Sequence, residues 1–152
     1  MKRIEHKIRE ITDSLEIIQE GLPPQEEEFI TAGLLKDGIY KRLEFCIQNI
    51  SDILGIIYSA HRIGIPHNVD DIFQGLLRKE ILPRKVILKA EEMKGLRNVL
   101  VHKYGEIDDA RVYAFLTEQL DDFHFILDAF EHYLKKNKTP KSKKRHGPDS
   151  QR

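Results

Sequence analysis

Apolar residues recur at alternating spacings of three and four along several long segments of this chain. Because successive residues of an α-helix turn by about 100°, this spacing collects apolar side chains into a stripe on one helix face. It predicts a helix that ends near Gly21 and a longer second helix that ends near Gly64. Their stripes are Ile4, Ile8, Ile11, Leu15 and Ile18, and then Leu35, Ile39, Leu43, Cys46, Ile50, Leu54 and Ile57.

Three further helices are predicted in the second half of the chain. The aspartates at 70–71 suit the N-cap of a short third helix, and Pro83 suits the first turn of a fourth that runs to His102. The aspartates at 108–109 suit the N-cap of a fifth. Its stripe is Val112, Phe115, Leu116, Leu120, Phe123, Leu127, Phe130 and Leu134. No alternating run indicates a strand, so we expect an all-α antiparallel bundle of four main helices and one short helix.

The charge of the chain is divided between two regions. Residues 135–152 hold eight Lys or Arg and one Asp, whereas residues 1–134 hold 17 Lys or Arg and 24 Asp or Glu. The C-terminal segment is almost free of apolar residues, so it is predicted to be a disordered basic tail behind a helical domain that spans 1–134. It is either an electrostatic tether for RNA or an acidic partner, or a solubilising terminus.

Apolar surface and targeting signals bear on the environment of the protein. The N-terminus lacks a signal-peptide h-region, and no apolar run is long enough to cross a bilayer. A single cysteine, Cys46, permits no intramolecular disulfide. A cytoplasmic location is therefore expected, with no association with a membrane.

The long apolar stripes favour a homodimer, unless all of that surface packs internally.

The segment RNVLVHKY at 97–104 mixes side chains that suit phosphate chemistry. Histidine accepts or donates a proton near neutral pH, and arginine offers phosphate a permanent charge and a planar fork of donors. Metal-free RNA cleavage needs both, because a base activates the 2′-hydroxyl while a cation stabilises the crowded phosphate. His102 and Arg97 are the candidates for these two functions, and Asn98 shares a helix face with His102.

The spacing of Arg97 and His102 leaves their convergence open. Five residues apart on a regular helix, they diverge by roughly 140°. They can meet if the arginine side chain bends, if the helix loosens at its end, or if a second subunit supplies the other copy. The same residues can also be plain polar surface at a helix end, because R-x4-H arises often by accident. Spacing alone does not decide between these interpretations.

The same segment resembles the R-x4-H-x-Y signature of the HepT family in the HEPN superfamily. The resemblance extends over residues 1–134. It includes LPPQEEEF at 22–29, YKRLE at 40–44 and GIP at 64–66. Pro83 at a helix start and EID at 106–108 also fit the family pattern. The octapeptide is the specific part of the likeness, and the rest is a looser pattern.

This resemblance implies a HEPN-like homodimer that acts as a toxin ribonuclease in a type VII-like toxin–antitoxin module. It implies RNA as substrate and a minimal nucleotidyltransferase as antitoxin, which transfers AMP from ATP onto the motif tyrosine. On this chain Arg97 and His102 would be catalytic, Asn98 supporting and Tyr104 the modified residue. The alternative is a non-catalytic helical adaptor that binds such a nucleotidyltransferase and is modified by it.

Other patterns point to no metal and no cofactor. His124, Asp128 and His132 are four apart and could chelate a metal if their helix face opened onto a cavity, but a solvated face is the better interpretation. The sequence contains no glycine-rich phosphate loop and no nucleophile elbow. We therefore expect cleavage without a metal ion.

Overall fold

The structure, a computed structural model, describes residues 1–102 and 107–144, with side chains described within 1–100 and 107–137. Those ranges contain seven α-helices and no strand, which confirms the predicted all-α class. The helices are α1 (Lys2–Gly21), α2 (Glu26–Ile30), α3 (Leu34–Ala60), α4 (Val69–Arg78), α5 (Arg84–His102), α6 (Asp109–Glu118) and α7 (Asp121–Lys144).

Helix α3 lies at the centre of the bundle. It packs against α1, α4 and α5, while α7 packs against α5 and α6 packs against α2. Lys7 of α1 donates to the Asn49 side chain (3.3 Å), and Arg42 of α3 donates to the Ser14 hydroxyl (3.4 Å). Because the earlier residue of α1 meets the later residue of α3, the two helices run antiparallel, as predicted.

The predicted apolar stripes form the core. Every stripe residue of α1 is buried, and so is every stripe residue of α3 except Leu35, which is 45% exposed. Val86, Ile87, Ala90 and Met93 bring the buried face of α5 against them. Burial at about 25 cal/mol per Å2 of apolar surface makes these faces the main source of stability.

The predicted bundle of four main helices and one short helix does not include α2, although the glutamates at 26–28 suit a helix start. Three glutamates at 26–28 occupy its first turn, where the positive end of the helix dipole favours negative charge. Phe29 is fully buried, with its ring centroid 5.8 Å from that of Tyr40 and 5.3 Å from that of Tyr113. A helix of five residues is too short for its periodicity to be recognised.

The prediction of one long fifth helix was wrong, because α6 and α7 are separate. The Thr117 hydroxyl donates to the carbonyl oxygens of Tyr113 (3.0 Å) and Ala114 (3.2 Å), a back-bonding pattern that bends helices. Leu120 lies in the break and is buried. The apolar stripe therefore continues across the break, and periodicity does not reveal it.

The helix caps agree only in part with the prediction. The Asp108 side chain accepts from the backbone N–H of Arg111 (3.1 Å) and caps α6, as one of the two expected aspartates. At α4 the cap is Asn68 rather than an aspartate, because its side chain accepts from the N–H of Asp71 (2.9 Å). The two aspartates that follow Asn68 occupy the first turn of the helix.

Helix α7 continues into the segment that was predicted to be disordered. It ends at Lys144, so residues 135–144 are helical, and residues 145–152 lie outside the described residues. Once the buried turns of α7 have formed, the helix extends without a further nucleation cost, although Pro140 contributes no backbone N–H donor. Lysines also favour helix and suit the negative end of the dipole.

Of the helices in the described ranges, none combines the length and the apolar character needed to cross a bilayer.

Two glycines provide a test of the packing around α3. A Cβ at Gly75 of α4 would lie 2.6 Å from the buried ring of Tyr58, whereas a Cβ at Gly38 of α3 would meet nothing within 4 Å. We expect Gly75→Ala to lower the free energy of unfolding by about 1–3 kcal/mol through overpacking. Gly38→Ala, the matched control, should raise it by about 0.5–1 kcal/mol. Urea denaturation followed by circular dichroism measures both, and equal stabilities would contradict the close approach of α4.

Candidate active site

The last two turns of α5 carry three of the four predicted site residues. Leu96 and Leu100 are buried there and fix this end of the helix against the core. Arg97 and Asn98 follow Leu96 and therefore turn away from the most buried line of the helix. Arg97 is 28% exposed as a side chain, and Asn98 is exposed.

Arg97 is held at the surface of α3 without having its hydrogen-bonding capacity filled. Its Nη2 lies 3.9 Å from Oε2 of Glu44, which is an ion-pair distance but too long for a hydrogen bond. Its Nε is buried and has no hydrogen-bond partner among the described residues. A buried donor without a partner is costly. The outer part of the guanidinium is exposed, and an anion there would supply an acceptor that Glu44 does not.

Helix α5 is continuous from Arg97 to His102, which removes one of the three routes by which these residues could meet. The helix does not end before His102, so the backbone separation of roughly 140° applies. The side chain of His102 and all of Tyr104 lie outside the described residues. The bending of the arginine side chain and a second subunit remain as routes.

A hydrogen-bonded cluster of Lys36, Tyr40 and Asp109, which we call the anchor, joins the start of α6 to α3. The Asp109 carboxylate, at the start of α6, accepts hydrogen bonds from Tyr40 and from Lys36 (2.8 Å). The Lys36 ammonium also donates to the carbonyl oxygen of Ile30 (3.1 Å), which ties α2 to the same point. Residues 103–108 must therefore span from the end of α5 to this anchor.

The anchor lies close to the Arg97 contact along α3. Tyr40 and Glu44 are four residues apart, which is about one helical turn and about 6 Å of axial rise. One short stretch of α3 therefore holds the last turns of α5 through Glu44 and the beginning of α6 through Tyr40. Sequence reasoning assigned neither Glu44 nor Asp109 to the site, although Glu44 stands in the YKRLE segment and Asp109 was considered as a cap.

The electrostatics of the anchor favour an ionised carboxylate. Burial alone would raise the pKa of Asp109, but the hydrogen bonds from Lys36 and Tyr40 and the charge of Lys36 hold that pKa below its usual value. The pKa of Tyr40 is raised by burial first and then by its hydrogen bond to Asp109, so its hydroxyl stays protonated and donates.

The alternative metal face on α7 gains no support from the geometry. His124, Asp128 and His132 are all exposed on that helix. Among the described side chains, no group of three His, Cys, Asp or Glu residues is placed to hold a metal ion.

Comparison with known proteins indicates one family. The profile of the family described as "Ribonuclease HepT-like" matches residues 8–130. The chain is 28% identical over 97 residues to the mRNA nuclease HepT of Shewanella oneidensis, an alignment that covers 64% of this chain and 73% of that protein.

Solved structures give the same picture at the level of the fold. A tri-AMPylated HEPN toxin of Shewanella oneidensis in complex with an MNT antitoxin is 26% identical, with a TM-score of 0.78 over 87% of this chain and 98% of that one. A toxin–antitoxin complex with AMP-PNP is 25% identical, with a TM-score of 0.78 over 87% and 99% of the chains. The cytosolic protein YutE of Bacillus subtilis is 15% identical at a TM-score of 0.73 over 90% and 91%, and shares the fold.

Replacing the anchoring carboxylate tests its charge. We expect Asp109→Asn to destabilise the protein at pH 7 by about 1–3 kcal/mol, because the amide offers Lys36 no opposite charge. The pKa of Asp109 is lower in the folded state, so its contribution is complete above the unfolded pKa of about 3.9 and is lost as the pH falls through the folded value. Urea titrations from pH 7 to pH 3 should therefore show the two proteins converging in acid. A stability difference that does not change with pH would refute the charge-based role.

Proposed function

We propose that this chain, which belongs to the ribonuclease HepT-like family, is a metal-independent endoribonuclease toxin. Membership of the family makes it a nuclease by class. In the proposal, Arg97 and His102 carry out the cleavage. The observation that supports this most directly is the Arg97 guanidinium, which stands near the end of α5, is partly exposed, and has its Nη2 3.9 Å from a carboxylate oxygen, too far for a hydrogen bond. A phosphate oxygen is the acceptor that this guanidinium suits.

The proposed reaction is a transfer within the RNA. His102 takes the proton from the 2′-hydroxyl as that oxygen attacks the adjacent phosphorus. The bond from phosphorus to the 5′-oxygen breaks, and the leaving oxygen takes up a proton, so the products are a 2′,3′-cyclic phosphate and a 5′-hydroxyl. Arg97 stabilises the charge that builds on the non-bridging oxygens, and Asn98 orients His102 from the same helix face.

The geometry of α5 favours a homodimer for this chemistry. On one helix the two residues leave the axis about 140° apart, so a single copy brings them together only through the length of the arginine side chain. A second subunit that faces the first across a cleft would place one copy's arginine near the other's histidine. We propose that the active protein is such a dimer and that it acts in the cytoplasm on RNA.

Regulation by a cognate minimal nucleotidyltransferase follows from the same site. The related toxin of Shewanella oneidensis was solved AMPylated and in complex with its MNT antitoxin. We propose that Tyr104 of this chain receives AMP. The phosphate would bring negative charge near Arg97, compete for its guanidinium and repel an incoming RNA backbone.

The remaining tyrosines support Tyr104 as the acceptor. The chain has five, and Tyr40, Tyr58, Tyr113 and Tyr133 are each at most 8% exposed. The hydroxyls of Tyr40, Tyr113 and Tyr133 are also held in hydrogen bonds, with Asp109, the carbonyl oxygen of Pro23 and His61, which makes them poor acceptors of AMP.

Cleavage of RNA in EDTA tests the proposed pair. We expect His102→Ala and Arg97→Ala each to lower the rate by about 100-fold or more, the range that general acid–base and electrostatic groups contribute. His124→Ala and Arg9→Ala, which alter exposed residues on α7 and α1, are the matched controls and should cleave at the wild-type rate. Equal cleavage by His102→Ala and wild type would remove the assignment. A wild-type protein that cleaves nothing but is still modified would indicate the adaptor instead.

Mass spectrometry after incubation with the cognate nucleotidyltransferase and ATP tests the modification. We expect AMP groups on the wild-type protein and none on Tyr104→Phe, together with loss of RNA cleavage in the modified protein. Tyr133→Phe is the control, since its buried hydroxyl should not be an acceptor. AMP found on Tyr104→Phe in the same amount would refute this residue as the acceptor.

A further inference from the structure

A groove lies at the end of α5 opposite to Arg97. It encloses about 1040 Å3 between α7 and the turn that joins α4 to α5. We call it the α7 groove. Its floor is formed by the buried side chains of Leu82, Val86 and Tyr133, and its rim carries Lys79, Arg84 and Lys136.

The three rim cations have no counterion among the described side chains. Within the part of the chain whose side chains are described, neither Lys79, Arg84 nor Lys136 forms an ion pair, and all three are exposed. Several lysines elsewhere in the described chain do form ion pairs. The ammonium groups of Lys89 and Lys94, for example, each lie 2.8 Å from a carboxylate oxygen. The groove therefore retains positive charge that is available to an outside anion.

An exposed aromatic ring stands beside these cations. Phe125 lines the groove and is 38% exposed. The ammonium groups of Lys85 and Lys89 lie 5.2 Å and 5.8 Å from the centroid of its ring. Aromatic rings next to positive charge are the elements with which proteins hold single-stranded nucleic acid, by stacking on bases and attracting phosphates.

The floor of the groove adds no negative charge near neutral pH. The Tyr133 hydroxyl lies 2.8 Å from Nε2 of His61, and burial raises the pKa of Tyr133, so the phenol stays neutral. The carboxylates on the lining are Glu80 and Asp128, which leaves the lining itself slightly basic.

The sequence that follows the groove is also basic. It holds six lysines and no acidic residue between 135 and 144, whereas residues 1–134 carry 17 basic and 24 acidic residues. Because most of the chain is acidic, a polyanion is attracted to the exposed rim cations of the groove and not to the surface as a whole, and this charge complementarity identifies the kind of occupant.

We propose that the α7 groove forms a second RNA-binding surface, which holds a single-stranded part of the substrate away from the cleavage motif. Phosphates lie against Lys79, Arg84 and Lys136, and a base lies against Phe125. The proposal rests on the proposed ribonuclease function for its choice of RNA, but it concerns binding and needs no cleavage.

The length of α5 separates the groove from the motif. Arg84 begins α5 and His102 ends it, and 18 steps of 1.5 Å give about 27 Å. A helical strand advances about 3.4 Å per nucleotide, so a dinucleotide cannot reach from one to the other, whereas a long RNA can. Loss of the groove should therefore weaken the binding of long RNA more than that of a dinucleotide.

The test compares two double charge reversals of equal size. Arg84→Glu/Lys136→Glu alters the groove, and Arg3→Glu/Arg9→Glu alters exposed arginines on α1. The probe is a fluorescent RNA of about 20 nucleotides with 2′-O-methyl groups, which no 2′-oxygen attack can cleave. Anisotropy should show at least about tenfold weaker binding for the groove variant and wild-type binding for the control. The slope of log affinity against log salt should fall by about 1.4 for two lost phosphate contacts.

The other outcomes decide between the groove and the proposed function. Equal RNA affinity of the two variants, whether both unchanged or both weakened, overturns the proposal. So does a groove variant that binds RNA normally but no longer binds the purified nucleotidyltransferase, since the groove is then a protein contact. If the wild type binds RNA through the groove but cleaves none, the proposed function fails and the groove stands. If the wild type cleaves RNA and the groove variant binds RNA as well as the wild type does, only the proposal for the groove is refuted. Circular dichroism confirms that each variant is folded.

Discussion

The burial of α3 on several sides is the constraint on which the rest of the molecule depends. A helix of 27 residues that is apolar along its length is stable only when other helices cover it, and α1, α4 and α5 do so. Its polar residues then serve as fixed points. Glu44 contacts Arg97, and Tyr40 with Lys36 holds Asp109. The candidate active site is therefore positioned by the central helix of the bundle.

The parts of the fold that were predictable are those that a repeated apolar spacing specifies. The predicted stripes of α1 and α3 are buried except for Leu35. Leu35 is exposed because it lies in the first turn of α3, at an end of the bundle. The break at Leu120 was not predictable, because the buried residues Leu116, Leu120 and Phe123 carry the apolar stripe across it. The helical course of α7 to Lys144 was missed because composition indicates disorder without regard to a helix already formed upstream.

The site was predictable as a set of residues but not as an arrangement. The segment at 97–104 stands out by its residue types, and resemblance to a family assigned the roles. That α5 stays regular up to His102, and that Arg97 keeps a buried Nε without a partner, depend on packing between helices distant in sequence. Glu44 lies 53 positions before Arg97, and Asp109 lies 69 positions after Tyr40, so no local pattern reveals either contact.

Helix α5 joins two chemically different places without a break. Its backbone hydrogen bonds fix its length, so that it acts as a spacer. The rim cations of the groove lie at its beginning and the guanidinium of Arg97 lies near its end, a fixed distance apart. A nuclease that binds its substrate at one end of such a spacer and cleaves it at the other end selects by the length of strand between the two places, and not by base identity. The sites it chooses in a transcript would then follow from how much unpaired strand lies beside each susceptible linkage, and folded RNA would be spared.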